Sequence, residues 1–186
     1  MSDFNKEDAY KNLERVNYWL GNGDTKISFA LSFIAVFLGF IFTSDSITDR
    51  LSNYSKLIKG LEVEVDFFKA VFFGLLFLLL LFFLIKATYF LLKGLRAKIE
   101  PEEYRQAGME SKSILFWGSV AQNNYNQFKN KIENVSEQKL INDINTQTFI
   151  NSKICTLKFS NFNLGVDNLK KGIIVFILFQ LLDYCL

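Results

Sequence analysis

The sequence predicts an all-α membrane protein: an N-terminal helix, a transmembrane helical hairpin, a cytoplasmic helical domain and a third membrane helix at the C-terminus. Three observations carry this reading. Apolar residues gather in three blocks, Ile27–Phe42, Ala70–Leu92 and Gly172–Leu186, which are nearly free of charge. The strongest of them is apolar all round, so it has no polar face to turn outward from a soluble core. A single Pro in 186 residues leaves few points at which a helix is forced to stop.

Residues 1–26 form an N-terminal cytoplasmic segment. It is polar and contains acids, and no small-residue cleavage site follows the first apolar block, which argues against a signal peptide. Residues 27–93 form the hairpin, with an outward loop at about 44–68. Ile27–Phe42 supplies about 24 Å of helix, slightly short of a ~30 Å hydrocarbon core, and Thr43 can extend it. Ser28, Ser32, Ala35 and Gly39 share one face of this helix, where small side chains allow a second helix to approach closely. In the second block, fourteen of the fifteen residues from Val71 to Ile85 are Val, Leu, Ile or Phe. At about −0.3 to −0.6 kcal/mol each they favour insertion by about 4–8 kcal/mol, against at most ~3 kcal/mol from Lys86. Insertion wins. Lys86 and Lys93 read as a pair that snorkels toward headgroups.

Residues 94–171 form the polar region, read as a cytoplasmic helical sensor. Pro101 with Glu100, Glu102 and Glu103 is a helix-start pattern, and the helix is expected to run to about Lys112. A short apolar piece follows at Ile114–Ala121, then a stretch rich in Asn, Gln and Lys to Asn134 that is helical or partly so. Ser136 can cap a further helix. Neither Pro nor Gly interrupts residues 136–163, so that helix can continue past Gly165 into the third block. Residues 172–186 span about 22 Å, below the usual transmembrane length. Such a segment thins the bilayer, packs obliquely or crosses only part way. Close to the membrane ends, Lys11, Arg15 and Lys26, then Lys93, Arg96, Lys98, Arg105 and Lys112, then Lys153, Lys158, Lys170 and Lys171 outnumber Arg50, Lys56, Lys59 and Lys69 of the intervening loop twelve to four, which places the N-terminus and the central region inside.

Composition removes several chemistries. The chain has no His, so it has no His general base, no Ser-His or Cys-His pair and no His-ligated metal. Two Cys thirty residues apart make no zinc cluster, and Cys155 reads as a small buried hydrophobe. There is no phosphate loop and no convincing carboxylate pair. A net charge of +2 leaves no nucleic-acid footprint. The reading is a non-enzyme with no metal, no cofactor and no nucleic-acid partner. A membrane effector, a constitutive small channel and a membrane-anchored adaptor that binds a protein all remain open. The second block offers no polar ring for a selective pore, which counts against the channel.

Three phrases carry a resemblance. The first is Tyr18-Trp19-Leu20-Gly21-Asn22-Gly23-Asp24-Thr25-Lys26, just before the first membrane block. The second is Phe116-Trp117-Gly118-Ser119-Val120-Ala121, with Tyr125 shortly after. The third is Asp143-Ile144, Gln147, Asn151-Ser152-Lys153-Ile154 and Lys158. In order and in register with the apolar blocks, they resemble the Pycsar effector family, the membrane effectors of bacterial cyclic-pyrimidine antiphage defence. That resemblance implies a multi-pass protein of the cell inner membrane. It also implies activation by a cyclic mononucleotide (cyclic CMP or cyclic UMP) from a partner cyclase, and impaired membrane integrity as the output. Such a ligand needs a cation for its phosphodiester and an aromatic or polar surface for its base. Trp117, Tyr125, Asn151, Lys153 and Lys158 offer these groups. Ser28, Ser32, Ala35 and Gly39 offer the contact for a homo-oligomer.

Overall fold

A computed structural model describes residues 4–43, 45–58, 67–98 and 106–185, and among them every regular element is an α-helix. In chain order they are α1 (Lys6–Thr43), α2 (Asp45–Ile58), α3 (Phe67–Arg96), α4 (Trp117–Ala121), α5 (Tyr125–Glu133) and α6 (Glu137–Cys185). The chain divides into two compact units. One comprises Met1–Asp24 and Arg96–Phe159, the other Thr25–Leu95 and Ser160–Leu186. Helices α1 and α6 contribute to both.

The second unit has an apolar core, and much of the outer face of α1 and α3 is apolar as well. Its core joins Ile27, Ile34 and Ile41 of α1, Leu80, Leu84 and Leu91 of α3, and Val175 and Phe179 of α6. On α6 the buried positions include Asn161, Gly165, Asn168, Gly172, Val175 and Phe179, alternating steps of four and three. That spacing is the seam of a coiled coil. Two glycines set how close the seam comes. A Cβ on Gly165 would lie 2.7 Å from Leu91 Cγ and 3.3 Å from the Ala87 carbonyl oxygen, and one on Gly172 would lie 3.3 Å from Leu84 Cδ2. Gly165 and Gly172 ascend by seven while Leu91 and Leu84 descend by seven, so α3 and α6 pack antiparallel with a leucine over each glycine. Edge-on ring contacts, Phe37 with Phe176 at 5.1 Å and Phe73 with Phe179 at 5.5 Å, fill the space on either side.

Among the described residues α1 and α3 are the two helices long and apolar enough to cross a membrane, and only 22% and 28% of their apolar stretches are buried. A core helix of a soluble protein is mostly buried, whereas here Phe29, Val36, Leu78 and Ile85 face outward. Lipid is the solvent such a surface fits. Helix α6 carries the third apolar block as its C-terminal end, with no break at Gly165, and falls outside that spanning pair. Lys86 and Lys93 are exposed, and the Lys86 ammonium lies 5.1 Å from the Phe82 ring centroid. Within the stretch read as an outward loop, residues 45–58 form helix α2, whose Ile47 is buried in the core. Thr48 Oγ1 donates back to the Asp45 carbonyl at 3.0 Å.

In the first unit the helix starts are chemically explicit. Asn5 and Asp8 exchange side chain-to-backbone bonds at the start of α1, Asn124 and Gln127 form a capping box on α5, and Ser136 Oγ accepts from the Lys139 amide at α6. The helix expected from Pro101 to Lys112 is not present over residues 106–112, which are turn and bend; residues 99–105, with the start pattern itself, lie outside the described residues. The reason is competition for backbone groups. Gly108 sits at φ +88°, and α6 side chains take the segment's hydrogen bonds. The Glu110 amide donates to Thr146 Oγ1 at 3.1 Å, the Ile114 amide to Asp143 Oδ2 at 2.8 Å, and Asn142 Nδ2 to the Gly108 carbonyl at 3.1 Å.

Gly165→Val forces a β-branched side chain against Leu91 and the Ala87 carbonyl, and is expected to destabilise the apolar unit by about 1–3 kcal/mol. A Cβ added at Gly39 would meet nothing within 4 Å, so Gly39→Ala is expected to stabilise the helix by up to about 1 kcal/mol. Thermal unfolding of both variants in detergent micelles checks the contrast.

Candidate functional site

The polar unit brings α1 and α6 side by side through two pairs of side chains with the same spacing. Asn151 Nδ2 donates to Asn17 Oδ1 at 2.8 Å, and Lys158 Nζ donates to Asp24 Oδ1 at 2.5 Å. Seven residues separate Asn17 from Asp24 and seven separate Asn151 from Lys158, so the two helices run parallel here and meet once per heptad. The Lys158 side chain is 9% exposed against 46% for Asp24, so the ammonium is the desolvated partner. A charge so buried is tolerable only with a counter-ion, which Asp24 supplies from the helix opposite.

Beside these pairs lies an open cavity of about 330 Å³, lined by Val16 and Trp19 of α1 and by Ser152, Cys155, Thr156 and Phe159 of α6. Trp19 meets Phe159 edge-on at 6.3 Å and Tyr18 at 5.8 Å. The hydroxyls are turned into their own helix. Ser152 Oγ donates to the Thr148 carbonyl at 2.7 Å and Thr156 Oγ1 to the Ser152 carbonyl at 3.0 Å. The slot therefore presents an aromatic edge and aliphatic walls, suited to a flat apolar face rather than to a charge. Burial pushes the Cys155 thiol above its ordinary range, and Lys158 pulls weakly the other way. The thiol is half-buried, as its small apolar character in the sequence suggests, and is neutral at physiological pH.

The five residues expected to hold a ligand occupy different environments. Asn151 and Lys158 face α1 and are engaged there. Lys153, two positions from Asn151, points elsewhere: it is exposed, with its ammonium 5.4 Å from the Phe149 ring centroid. Trp117 and Tyr125 are 78% and 77% exposed, the first against its neighbour Phe116 at 5.5 Å and the second as the opening residue of α5. The expected packing residues Ser28, Ser32, Ala35 and Gly39 all lie on the exposed side of α1, while Ile27, Ala30, Ile34 and Ile41 take its buried side.

Three positions that organise the polar unit escape a choice made on sequence. Asp24 and Trp19 stand in the phrase before the first apolar block, and the repeated seven-residue spacing is the signal that pairs Asp24 with Lys158. Asp143 is 2% exposed and holds the Ile114 amide through Oδ2, while Oδ1 has no partner among the described residues. Together with Ser113, whose hydroxyl accepts from the Leu115 and Phe116 amides, it ties the segment leading into α4 to α6. Only the tertiary fold shows that role.

Asp24→Ala is expected to destabilise the polar unit by about 1–3 kcal/mol, and Lys158→Ala in the same background to cost little more, because the two act as a pair. A double-mutant cycle on unfolding free energies reads the coupling. Alkylation of Cys155 is expected to be slow at neutral pH and to accelerate only above the ordinary thiol range. Lys158→Ala should move that profile to still higher pH, as followed by mass spectrometry.

Comparison with known proteins bears on what this arrangement is for. Residues 8–182 match the family model described as PycTM, Pycsar effector protein domain. A curated relative, "Pycsar effector protein GmPycTM" from Gulbenkiania mobilis, is 36% identical over 177 residues, covering 93% of this chain and 90% of the relative. No solved structure matches.

Proposed function

The chain belongs to the Pycsar effector family, membrane effectors of antiphage defence, and on that premise we propose that it is switched on by a cyclic mononucleotide and then impairs the inner membrane. The family match over nearly the whole chain carries this reading. The division of the molecule fits it: the polar helical unit offers side chains to a charged ligand, and the apolar unit offers helices to lipid. Neither needs catalytic residues, because the output is a physical change in a bilayer.

In this reading the polar unit and the N-terminus face the cytoplasm, where a partner cyclase supplies cyclic CMP or cyclic UMP. Residues 172–186 form a third membrane segment. The base lies against an aromatic surface of the polar unit, with Asn151 among its polar contacts, and Trp117 and Tyr125 are two of the exposed rings. Lys153 points away from the α1 face and Lys158 is bound into it, so Lys153 is the easier of the two for a phosphate to reach. Helices α1 and α6 both continue from the polar unit into the apolar one, so a change in their contact in one unit is carried along unbroken helices. Association of copies through the exposed face of Ser28, Ser32, Ala35 and Gly39 then opens a leak.

Dye-filled liposomes containing the purified protein, titrated with cyclic mono- and dinucleotides, test the function. Release with one cyclic pyrimidine nucleotide at low concentration is the expected result. Equal release without ligand would replace this reading with a constitutive channel, and no release with any ligand would replace it with a membrane-anchored adaptor. Gly39→Leu places a branched side chain on the exposed face and is expected to abolish release while leaving nucleotide binding intact. Retained release would remove that face from the mechanism.

A further inference from the structure

A second cavity in the polar unit, of about 310 Å³, lies where three elements meet. Lys112 and Ile114 come from the segment tied to α6, Asn130, Lys131 and Asn134 from the end of α5 and its cap, and Val135 and Lys139 from the entry to α6. Three lysines thus converge on one small cavity, and among the described residues no carboxylate lines it. Of the acids on the same elements, Glu137 is exposed in the first turn of α6 and Asp143 holds the Ile114 amide. Glu133 pairs with Lys129 at 3.7 Å, and Glu110 Oε1 accepts the Lys112 amide at 3.0 Å. Lys131 Nζ donates to Asn123 Oδ1 at 2.7 Å, which holds that ammonium without neutralising it.

Gathering three ammonium groups costs free energy through like-charge repulsion, so the arrangement is at its most stable with an anion between them. The wall carrying Lys112 and Ile114 is also held in place. The Ile114 amide is bonded to Asp143 one turn along α6 from Lys139, and the Glu110 amide to Thr146 one turn further. The backbone of that wall is thus fixed, while the Lys112 and Lys139 side chains stay exposed and within reach of a ligand. Its volume is at the lower end of the range for small-molecule sites, and its Asn amides add neutral donors and acceptors around the charge.

We propose that this cavity is the phosphate seat of the chain, where Lys112, Lys131 and Lys139 hold the phosphodiester of a small anionic ligand. The proposal rests on the effector reading for the identity of that ligand as a cyclic mononucleotide, and it gives the ligand an address that the sequence alone does not. It takes that task both from Lys153, which does not line the cavity, and from Lys158, whose charge is committed to Asp24. One wall of the cavity is the first turn of α6, so an anion bound there touches the same helix that ends in the third apolar block.

The test is direct binding to the full chain in detergent micelles, with labelled cyclic CMP and cyclic UMP as probes, inorganic phosphate as competitor and phosphatidylglycerol vesicles as a separate arm. Wild type is expected to bind one cyclic nucleotide. Lys112→Ala combined with Lys139→Ala is expected to weaken that binding at least about ten-fold, and Lys131→Gln by a similar factor, as for loss of charge-assisted hydrogen bonds. Lys129→Ala removes an equal charge outside the cavity and should change affinity less than about two-fold. Because Lys112 and Lys139 are exposed, their removal is not expected to disturb folding, which the thermal melt checks. Nucleotide binding unaltered by the cavity variants overturns the seat and leaves the effector reading standing. Lysine-dependent binding of the vesicles with no nucleotide binding supports the phosphate seat, assigns it to a lipid headgroup and overturns nucleotide activation. Binding of neither overturns both.

Discussion

The unbroken hydrogen-bond ladder of α6 is the constraint on which the rest of the structure depends. Over Glu137–Cys185 every turn must satisfy the next, because the end of this helix meets an apolar environment where a free backbone amide costs several kcal/mol. A glycine inside such a helix ordinarily weakens it by about 1 kcal/mol. Gly165 admits Leu91 closer than a Cβ would allow without a shift, and Gly172 admits Leu84 to a distance at which a Cβ would be tight. Packing lost in the glycine backbone is regained as contact across the seam. The same residues that would break a helix in water hold two helices together here.

The polar half of the molecule is governed by the opposite requirement. Its buried groups include a lysine, an aspartate, a threonine and a glutamine on α6, and each needs a partner. Asp24 answers Lys158 from α1. Asp143 and Thr146 answer backbone amides of the segment before α4, which is why that segment stays irregular instead of joining a helix of its own. Polar burial thus does two jobs: it fixes the register of α1 against α6, and it pins the wall of the lysine-lined cavity. Both follow from the cost of leaving a buried polar group unpaired.

How much of this can be read from the chain varies by element. The apolar blocks are legible because membrane insertion is a sum over local residues, and the cap at Ser136 because capping is decided within one turn. The stretch after Pro101 departs from its local pattern for a physical reason. A helix-start pattern reports what the local chain favours and is blind to acceptors brought in from thirty residues away, such as Asp143 and Thr146. The small-residue face of α1 is legible as a face, but the close helix contact within the chain uses Gly165 and Gly172 instead. Asn151 and Lys158 stand out for their chemistry, yet their partners Asn17 and Asp24 lie 134 positions away, and the shared seven-residue spacing is the one trace of the pairing along the chain.

By itself, then, the sequence determined where the chain is apolar enough for lipid, that its elements are helical, and, through three phrases in register, the family to which it belongs. Those properties are additive along the chain or depend on a few neighbouring residues. Which face of each helix is buried, which charges neutralise one another and which lysines share a cavity were decided only in the folded molecule. Lys112, Lys131 and Lys139 come from a loop and two helices, and no spacing along the chain relates them. Convergence is a property of packing, because it depends on how backbones from separate elements approach, and that approach is set by side chains far from the site.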